Sequence, residues 1–429
     1  MKVRNITGIE KRVFLLRVRI SMFFKFLPQL VMGRIGVRRF VMFLRRLLFF
    51  LDKMKHNKFV QIGLNTRINL YCPGFPSEGF YTACRKFMVF DKKMPCTTVL
   101  ISLTSACPYH CRHCYQKYDQ GKDVDINVMV DTVKILQDMG IAFFNIEGGE
   151  PFLVYERLKR VCEVIDYRSE VWINSTGFGI TLDRLLELKK FNVTAIMFSL
   201  HSPNPEELNQ FMGDGKAWDT MARAVSLCHQ AGMAVAFNTC LPKKDFYNGN
   251  FENVMDIAKD FHASMIQIIK PKPAGGWLEQ GVEPFEDKDL ARLKKLVHRY
   301  NCDNKYRDYP AISAQAMEED QDQFGCTAGG TDRFYINAKG DLQPCEFLNI
   351  SFGNIGDTDF PEIYHKMRSC FEIPGNCWLC EKYSGDILRL YKGHNLKSLP
   401  LPCDISEEVY HKWDRGDHTK LYEKIEKMK

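Results

Sequence analysis

The feature that most constrains the fold is a regular alternation of strand and helix signals between residues 97 and 276. Six short runs rich in β-branched and aromatic residues begin with TTVLISL and end with MIQII, and a helical pattern follows each of the first five. This order builds a parallel sheet with helices outside, because each helix returns the chain to the same end of the sheet. We therefore predict an α/β fold, a partial (β/α)6 barrel, with its chemistry in the loops after the carboxyl ends of the strands.

The length of 429 residues exceeds what one hydrophobic core usually supports, which predicts several packed units. Residues 281–325 are charged and helical in pattern, with no strand signal, and the tail from Ser406 has the pattern of a solvated, charged helix. The predicted units are a basic amphipathic helical segment (1–60), a lead-in (61–96), the barrel (97–280), a helical bridge (281–325), a small cysteine-rich α+β domain (326–405) and a charged helical tail (406–429).

Cysteine content and charge predict the compartment and exclude one class of partner. The chain has sixteen cysteines and no secretory signal with a small-residue cleavage site. This favours a reducing, cytoplasmic compartment, where clustered cysteines indicate metal sites rather than disulfides. The net charge of +7 is local in origin, since ten Lys or Arg and no Asp or Glu lie between residues 11 and 51. No nucleic-acid partner is expected from the remainder, which is slightly acidic.

The basic N-terminal segment predicts a helix on a membrane surface. Between Arg34 and Leu48, five arginines fall within one arc of a helix and apolar side chains cover most of the rest. Pro28 and Gly33 are expected to separate this helix from an earlier one around residues 9–26. The longest uncharged run is far shorter than the roughly 18 apolar residues that span a bilayer, so the segment should bind peripherally. The alternatives are packing on the protein's own core and a cleaved targeting segment.

The segment CPYHCRHCY places Cys107, Cys111 and Cys114 in a CxxxCxxC spacing directly after the first strand. Three thiolates at this spacing let one loop bind three irons of a four-iron cluster, which leaves the fourth iron open for a small chelating ligand. EGGEP ends the next strand, where two glycines let the backbone approach a ligand and Glu150 can accept a hydrogen bond from an ammonium group. The alternative is structural zinc bound by these cysteines with His110 or His113.

These features resemble the radical S-adenosylmethionine (radical SAM) superfamily over residues 97–276. CPYHCRHCY matches the family's CxxxCxΦC signature, with His113 at the aromatic position beside the adenine. The family motif that binds the methionyl amine is matched by Gly148, Gly149 and Glu150. Strand-end positions that usually face the ribose are matched by Ser199 and Asn238, and KPAGG resembles the turn after the sixth strand.

The resemblance implies a radical SAM enzyme. With a 4Fe-4S cluster on the first three cysteines and an external flavodoxin- or ferredoxin-like one-electron reductant, such an enzyme cleaves S-adenosylmethionine to a 5'-deoxyadenosyl radical. That radical removes hydrogen from an unactivated position, while the protein supplies placement and excludes water. No residue is assigned as catalytic, although His201 is a candidate acid or base. Cys162 and Cys228 are expected to be core thiols.

A second cysteine-rich region, CTAGGTDRFYINAKGDLQPC, resembles the opening of the SPASM and twitch extensions of radical SAM enzymes. CWLC follows at residues 377–380, but Asp386 stands where a further thiol of the full SPASM pattern would fall. We therefore expect a twitch-like unit with one auxiliary 4Fe-4S cluster, used as an electron relay and held by Cys326, Cys345, Cys377 and Cys380. Cys370 or Cys403 can replace one of these ligands, and structural zinc is again the alternative.

The predicted membrane location suggests a lipid substrate, such as an acyl chain or isoprenoid, because radical attack suits unactivated carbon. A second hypothesis is a maturase that crosslinks or oxidises a ribosomally made peptide, a common role among enzymes with this extension. No winged-helix-like leader-binding pattern precedes the barrel, which weighs weakly against it. A third hypothesis is a non-catalytic iron-sulfur electron carrier, and the complete cysteine loop with its Gly-Gly-Glu partner argues against that.

Overall fold

The first part of the chain folds as a helical hairpin on a small antiparallel sheet. The structure is a computed structural model that describes residues 3–88, 96–371 and 374–428. The first elements are β1 (Val3–Ile6), α1 (Gly8–Val31), α2 (Val37–Lys53), β2 (Phe59–Ile62), β3 (Asn65–Arg67) and α3 (Glu78–Cys84). Strand β2 pairs with both β1 and β3 and contains residue 60. The predicted boundary between the N-terminal segment and the lead-in therefore falls inside one sheet. Residues 89–95 of the predicted lead-in lie outside the described residues.

The two helices bury apolar side chains against each other and against this sheet. They share one core with Phe59 and Phe75, to which they contribute Phe14, Val18, Met22, Phe26, Phe40, Phe43, Leu47 and Leu51. The apolar face of α2 was expected to meet a membrane, but Phe40, Phe43 and Leu47 of that face are buried within the protein, while Val37 and Val41 stay exposed. Pro28 lies inside α1, so the predicted break there is wrong, and the chain turns at Gly33 (φ +67°). Among the described residues no helix is long and apolar enough to cross a bilayer.

The middle of the chain forms the predicted parallel sheet. All six predicted strands are present, and they lie in the sheet in the same order as in the chain, each pair of neighbours parallel. The elements are β4 (Thr98–Ser102), α4 (Ile126–Met139), β5 (Phe143–Glu147), α5 (Tyr155–Val164), β6 (Glu170–Ser175), α6 (Leu182–Leu188), β7 (Val193–Ser199), α7 (Pro205–Met212), α8 (Ala217–Ala231), β8 (Ala234–Cys240), α9 (Asn250–Asp260) and β9 (Met265–Ile269). The mixed α/β class is confirmed.

The sheet extends beyond these six strands at both edges. The remaining elements are α10 (Asp287–Cys302), β10 (Ala311–Ala314), α11 (Gln315–Glu318), β11 (Arg333–Ile336), β12 (Leu342–Gln343), α12 (Phe360–Cys370), α13 (Leu379–Lys382), α14 (Ser384–Gly393), α15 (Cys403–Tyr410) and α16 (Lys420–Glu426). β10 pairs with β9 in parallel, so the expectation of a bridge without strands is wrong. At the other edge β11 pairs with β4 in parallel, and β12 completes a hairpin with β11. The sheet thus joins the two predicted cysteine regions.

The N-terminal unit closes the amino-terminal end of the inner face of this sheet. Val60, Ile62 and Leu70 pack there against side chains near the start of the strands, including Phe143 and Trp172. Arg67 is buried beside them, bonds Glu170 (2.5 Å), and lies over the Trp172 ring (4.3 Å to its centre). Helices cover the outer face of the sheet.

The tail is packed rather than solvated, which corrects the prediction. Its residues Leu421, Tyr422 and Ile425 are buried against Phe49 of α2 and Phe324. The boundary predicted at residue 406 also falls inside α15. The charged pattern hides these contacts because only one narrow face of α16 is apolar.

Candidate active site

The loop that carries the first three cysteines is held by three other loops at the carboxyl end of the sheet. His110 N donates to the carbonyl of Met212, the last residue of α7 (2.9 Å). Gly276 N, after β9, donates to the carbonyl of Cys114 (2.9 Å), and Gly149 N, after β5, donates to a carbonyl just ahead of the loop (2.7 Å). The thiols are therefore presented by a backbone fixed from three directions.

Glycines make these close approaches possible. A Cβ on Gly149 would lie 2.2 Å from the Ala106 carbonyl oxygen, and one on Gly275 would lie 2.3 Å from that of Cys114. Gly148 also has φ +154°, a backbone conformation that favours glycine. The sequence predicted glycines that let the backbone approach a ligand. In the structure, Gly149 and Gly275 let neighbouring loops approach the backbone of the cysteine loop.

The three thiols of the loop are partly or wholly buried and interact electrostatically with one another. Burial raises the pKa of Cys107 to about 12 and also raises the pKa values of Cys111 and Cys114. Within residues 3–88, 96–371 and 374–428, no three His, Cys, Asp or Glu side chains converge to bind a single metal ion. A four-iron cluster needs no such convergence, because each thiolate binds its own iron. Three clustered thiols, each on its own iron, fit such a cluster.

His113 lies in a group of rings beside the loop. Its ring centre is 4.5 Å from that of His201, 4.7 Å from Phe211 and 5.6 Å from Trp277. Burial lowers the pKa of His113 to about 4, and its Nδ1 has no hydrogen-bond partner, so a neutral ring keeps one polar atom for a ligand. His201 instead accepts a hydrogen bond from Cys240 N (3.1 Å), which indicates a structural role. Phe211 and Trp277 could not be predicted from the sequence, because their spacing resembles that of ordinary core positions.

Glu150 is fully buried and bonded within the protein. It accepts hydrogen bonds from the backbone of Phe152 (3.0 Å), from the Ser175 hydroxyl (2.9 Å) and from both the backbone and hydroxyl of Thr176 (2.8 and 2.5 Å). Burial raises its pKa, and these hydrogen bonds oppose the rise. The carboxylate thus ties the loop after β5 to the end of β6. Its predicted contact with an ammonium group stays a prediction. In such a contact the ammonium group would share the Glu150 carboxylate with the hydrogen-bond donors already bound to it.

Ser199 and Asn238 are brought together at the ends of β7 and β8, where they pair across the sheet. The Asn238 side-chain oxygen is buried without a hydrogen-bond partner. A buried polar atom of this kind usually has a partner, so a ligand in this position would satisfy it. The ribose contact of both residues stays a prediction.

A carboxyl group that the sequence reasoning missed lies on the inner face of the sheet. Glu147, the last residue of β5, accepts hydrogen bonds from the Tyr115 hydroxyl (2.6 Å) and from the Asn174 amide (2.9 Å). Burial and the charge of Glu346 raise the pKa of Glu147 to about 7. The buried side-chain oxygens of Asn145 and Asn174 have no partners. The alternation in FFNIE, which turns Asn145 and Glu147 to the face opposite Phe144, is the signal that could have revealed them.

The second set of cysteines lies next to β11. Cys326 and Cys345 each interact electrostatically with Cys380, and burial raises the pKa of all three thiols, that of Cys380 to about 12. Arg333 of β11 donates to the Cys345 sulfur (3.6 Å) and pairs with Glu319 (2.9 Å). The structure therefore brings together three of the four predicted auxiliary ligands.

The fourth predicted ligand, Cys377, lies just before α13. The Cys377 sulfur contacts Lys382 (3.9 Å) and its neighbour Asn376 (3.6 Å), and it faces the turn at Gly416. Cys403 accepts a hydrogen bond from Lys366 (3.2 Å), and Cys370 also lies near this lysine. The ligand roles of all these cysteines stay predictions.

Aromatic rings connect the two sets of cysteines. Tyr115, which follows Cys114, packs edge-on against Tyr335 (6.0 Å between ring centres) and Phe347 (5.9 Å). Phe347 lies two residues beyond Cys345 in the chain. The inner face with Glu147 thus lies between the two sites.

Comparison with known proteins agrees with this geometry. Residues 101–266 match the family model of the radical SAM superfamily, and residues 326–384 match that of the SPASM iron-sulfur cluster-binding domain. An AdoMet-dependent heme synthase of Oleidesulfovibrio alaskensis is 22% identical over 326 residues, which cover 68% of this chain and 82% of the relative. A PqqA peptide cyclase of Streptomyces rochei is 21% identical over 296 residues, covering 66% and 79%.

The fold also resembles that of a solved structure. SuiB of Streptococcus suis bound to the precursor peptide SuiA has a TM-score of 0.54 at 16% identity, covering 73% of this chain and 77% of SuiB. This chain belongs to the radical SAM superfamily and carries a SPASM domain. It is therefore an enzyme that uses a 4Fe-4S cluster and S-adenosylmethionine, with additional iron-sulfur binding in its SPASM domain. The prediction of an enzyme, as opposed to an electron carrier, is confirmed.

Proposed function

We propose that the protein is a radical SAM oxidoreductase that modifies a peptide between its two cysteine sites. The observation that supports this proposal is the polar inner face, where the Asn145 and Asn174 oxygens lack partners beside the Glu147 carboxyl. Amide oxygens of this kind accept hydrogen bonds from peptide N–H groups. An acyl chain would leave them unsatisfied at a cost of about 1–3 kcal/mol each, so this lining does not favour the lipid hypothesis.

The cysteines would bind the two clusters, and residues at the strand ends would contact S-adenosylmethionine. Cys107, Cys111 and Cys114 would hold the first cluster, and with S-adenosylmethionine bound this site supplies a 5'-deoxyadenosyl radical that removes hydrogen from carbon. His113 and Asn238 would contact the nucleoside through their unpartnered atoms. Cys326, Cys345 and Cys380, with Cys377 as the predicted fourth ligand, would hold the auxiliary cluster, which supplies one-electron redox capacity.

Glu147 is placed to accept a proton from the substrate. Loss of a hydrogen atom and an electron from a substrate carbon leaves a proton to be removed, and a carboxyl with a pKa of about 7 can receive it at neutral pH. Tyr115 and Asn174 orient the two carboxyl oxygens. The external one-electron reductant and the peripheral membrane location remain part of the proposal.

The test is anaerobic incubation of the reconstituted enzyme with labelled S-adenosylmethionine, a reductant, and either peptide fractions or membrane lipid extract. Hydrogen exchange between 5'-deoxyadenosine and a peptide would support the proposal. Labelling of a lipid chain would refute the peptide assignment. Cys107→Ala controls for background, since it should form no 5'-deoxyadenosine with either fraction.

A further inference from the structure

Helix α1 has a second apolar face, which points away from the protein. Its inner face is buried, and its outer face exposes Ile9, Val13, Leu16, Ile20, Phe23 and Phe24. These six positions recur at helical spacing, so they form one stripe along the helix. Among the described residues, eighteen large apolar side chains are exposed, and ten of them lie between residues 9 and 41. A contiguous exposed stripe of this kind marks an interaction surface.

Cationic side chains border this outer stripe. On a helix at about 100° per residue, Arg12 and Arg19 fall on one side of the stripe and Arg17 on the other. All three are exposed, and none pairs with a carboxylate among the described residues. The one acidic residue of α1, Glu10, is paired with Arg4. Exposed arginines of α2 and of the turn that precedes it add further positive charge at Arg34, Arg38, Arg39 and Arg45.

We propose that the outer stripe of α1 docks the enzyme on an anionic lipid bilayer. The apolar side chains would enter the boundary between headgroups and acyl chains, and the bordering arginines would contact anionic headgroups. A second copy of the chain is a poorer occupant, because a symmetric contact through this face would oppose the arginines of one copy to those of the other. The surface differs from the predicted one, since α2 contributes charge while Phe40, Phe43 and Leu47 of its apolar face are buried.

The experiment uses the full, reconstituted chain and vesicle co-sedimentation. The vesicles contain phosphatidylcholine alone or phosphatidylcholine with phosphatidylglycerol. We expect binding to the anionic vesicles and strong weakening by salt. The variant Leu16→Gln, Ile20→Gln, Phe24→Gln should lose binding, and Arg12→Gln, Arg17→Gln, Arg19→Gln should weaken it on the order of a hundredfold.

A matched control replaces three other exposed apolar residues elsewhere, in the variant Leu64→Gln, Ile135→Gln, Leu186→Gln. This control should bind vesicles as the wild type does. No binding by the wild type, or equal loss in the control and the stripe variant, would overturn the proposal. A wild-type dimer by light scattering that the stripe variant converts to a monomer would assign the stripe to a second copy instead. Binding is measured without substrate, so its failure would leave the proposed chemistry untouched.

Discussion

Gly149 brings two loops of the active site closer together than any larger residue allows. A Cβ at this position would lie 2.2 Å from a backbone oxygen of the cysteine loop. Gly149→Ala should therefore displace that loop and destabilise the protein by about 3 kcal/mol or more, because backbone atoms relax less readily than side chains. Thermal unfolding and iron content after reconstitution would measure both effects. Gly393→Ala, where a Cβ meets open space, is the control, and identical behaviour of the two variants would contradict the assignment.

Glu147 can be tested with an isosteric change. In Glu147→Gln the new amide can donate to the unpartnered Asn174 oxygen, so the local hydrogen bonds and the fold should persist. The variant should still form 5'-deoxyadenosine, but product formation should fall about 10²- to 10⁴-fold, since a positioned proton acceptor contributes that much. Chromatographic quantification of 5'-deoxyadenosine and of the modified product would show that the first still forms while the second falls. Wild-type product yield would exclude Glu147 as the acceptor.

The same carboxyl predicts a pH dependence. Burial and Glu346 raise the pKa of Glu147 to about 7, while hydrogen bonds from Tyr115 and Asn174 and the charge of Arg333 oppose the rise. Below this pH the carboxyl is protonated and cannot accept a proton, so product formation should increase as the pH rises through about 7. A stopped assay across this range should show the increase in the wild type and not in Glu147→Gln. The same profile in both proteins would point to a different group.

At the scale of elements, Cys380 lies in α13 and Cys377 precedes that helix, although a CxxC motif would be expected to use both cysteines together. Cys380, in α13, lies near Cys326 and Cys345, whereas Cys377 contacts Lys382. We expect Cys380→Ala to lose more auxiliary iron than Cys377→Ala, while both keep the iron of the first site and still cleave S-adenosylmethionine. Mössbauer spectroscopy with iron analysis would measure the difference. Equal loss of auxiliary iron in the two variants would instead support ligation by all four thiols predicted from the sequence.

The six parallel strands were predictable because each is a short apolar run between turn residues, and the cysteine loop because its spacing is distinctive. β10 was missed because AISA is short and rich in small residues, so it carries little strand signal. The position of β11 beside β4 could not be predicted, since pairing between distant segments leaves no local pattern. Glu147 was missed because one carboxyl at a strand end resembles many that have no function.

At the scale of the molecule, the N-terminal unit and the cysteine loops lie at opposite ends of the main sheet. Strands β2 and β3 cover the amino-terminal end of the inner face, and the thiols follow the carboxyl ends of the strands. If α1 docks on a bilayer as proposed, a lipid in that bilayer would not pass directly into the site. The proposed docking would therefore set where the enzyme works without requiring that its substrate be a lipid, which agrees with the polar lining around Glu147.

The shared sheet predicts that the auxiliary region is needed for folding. A chain that ends at residue 325 lacks β11 and leaves the edge of β4 without its hydrogen-bonding partner. Exposed strand edges promote association, so this shorter chain should aggregate, and co-expression of residues 326–428 should recover soluble material. Size-exclusion chromatography would follow both. A soluble monomer that still binds iron at the first site would contradict this dependence.

The ladder between β4 and β11 also limits how such enzymes can diversify. A strand supplied by the C-terminal region forms part of the wall that presents the first cysteine loop, so exchanging that region between relatives would replace a neighbour of β4 along with the auxiliary thiols. Hybrid enzymes joined at the end of β10 should succeed only when the incoming strand reproduces the register of Arg333 with Thr98. New substrates would then be acquired more readily by substitutions on the inner face than by shuffling whole domains.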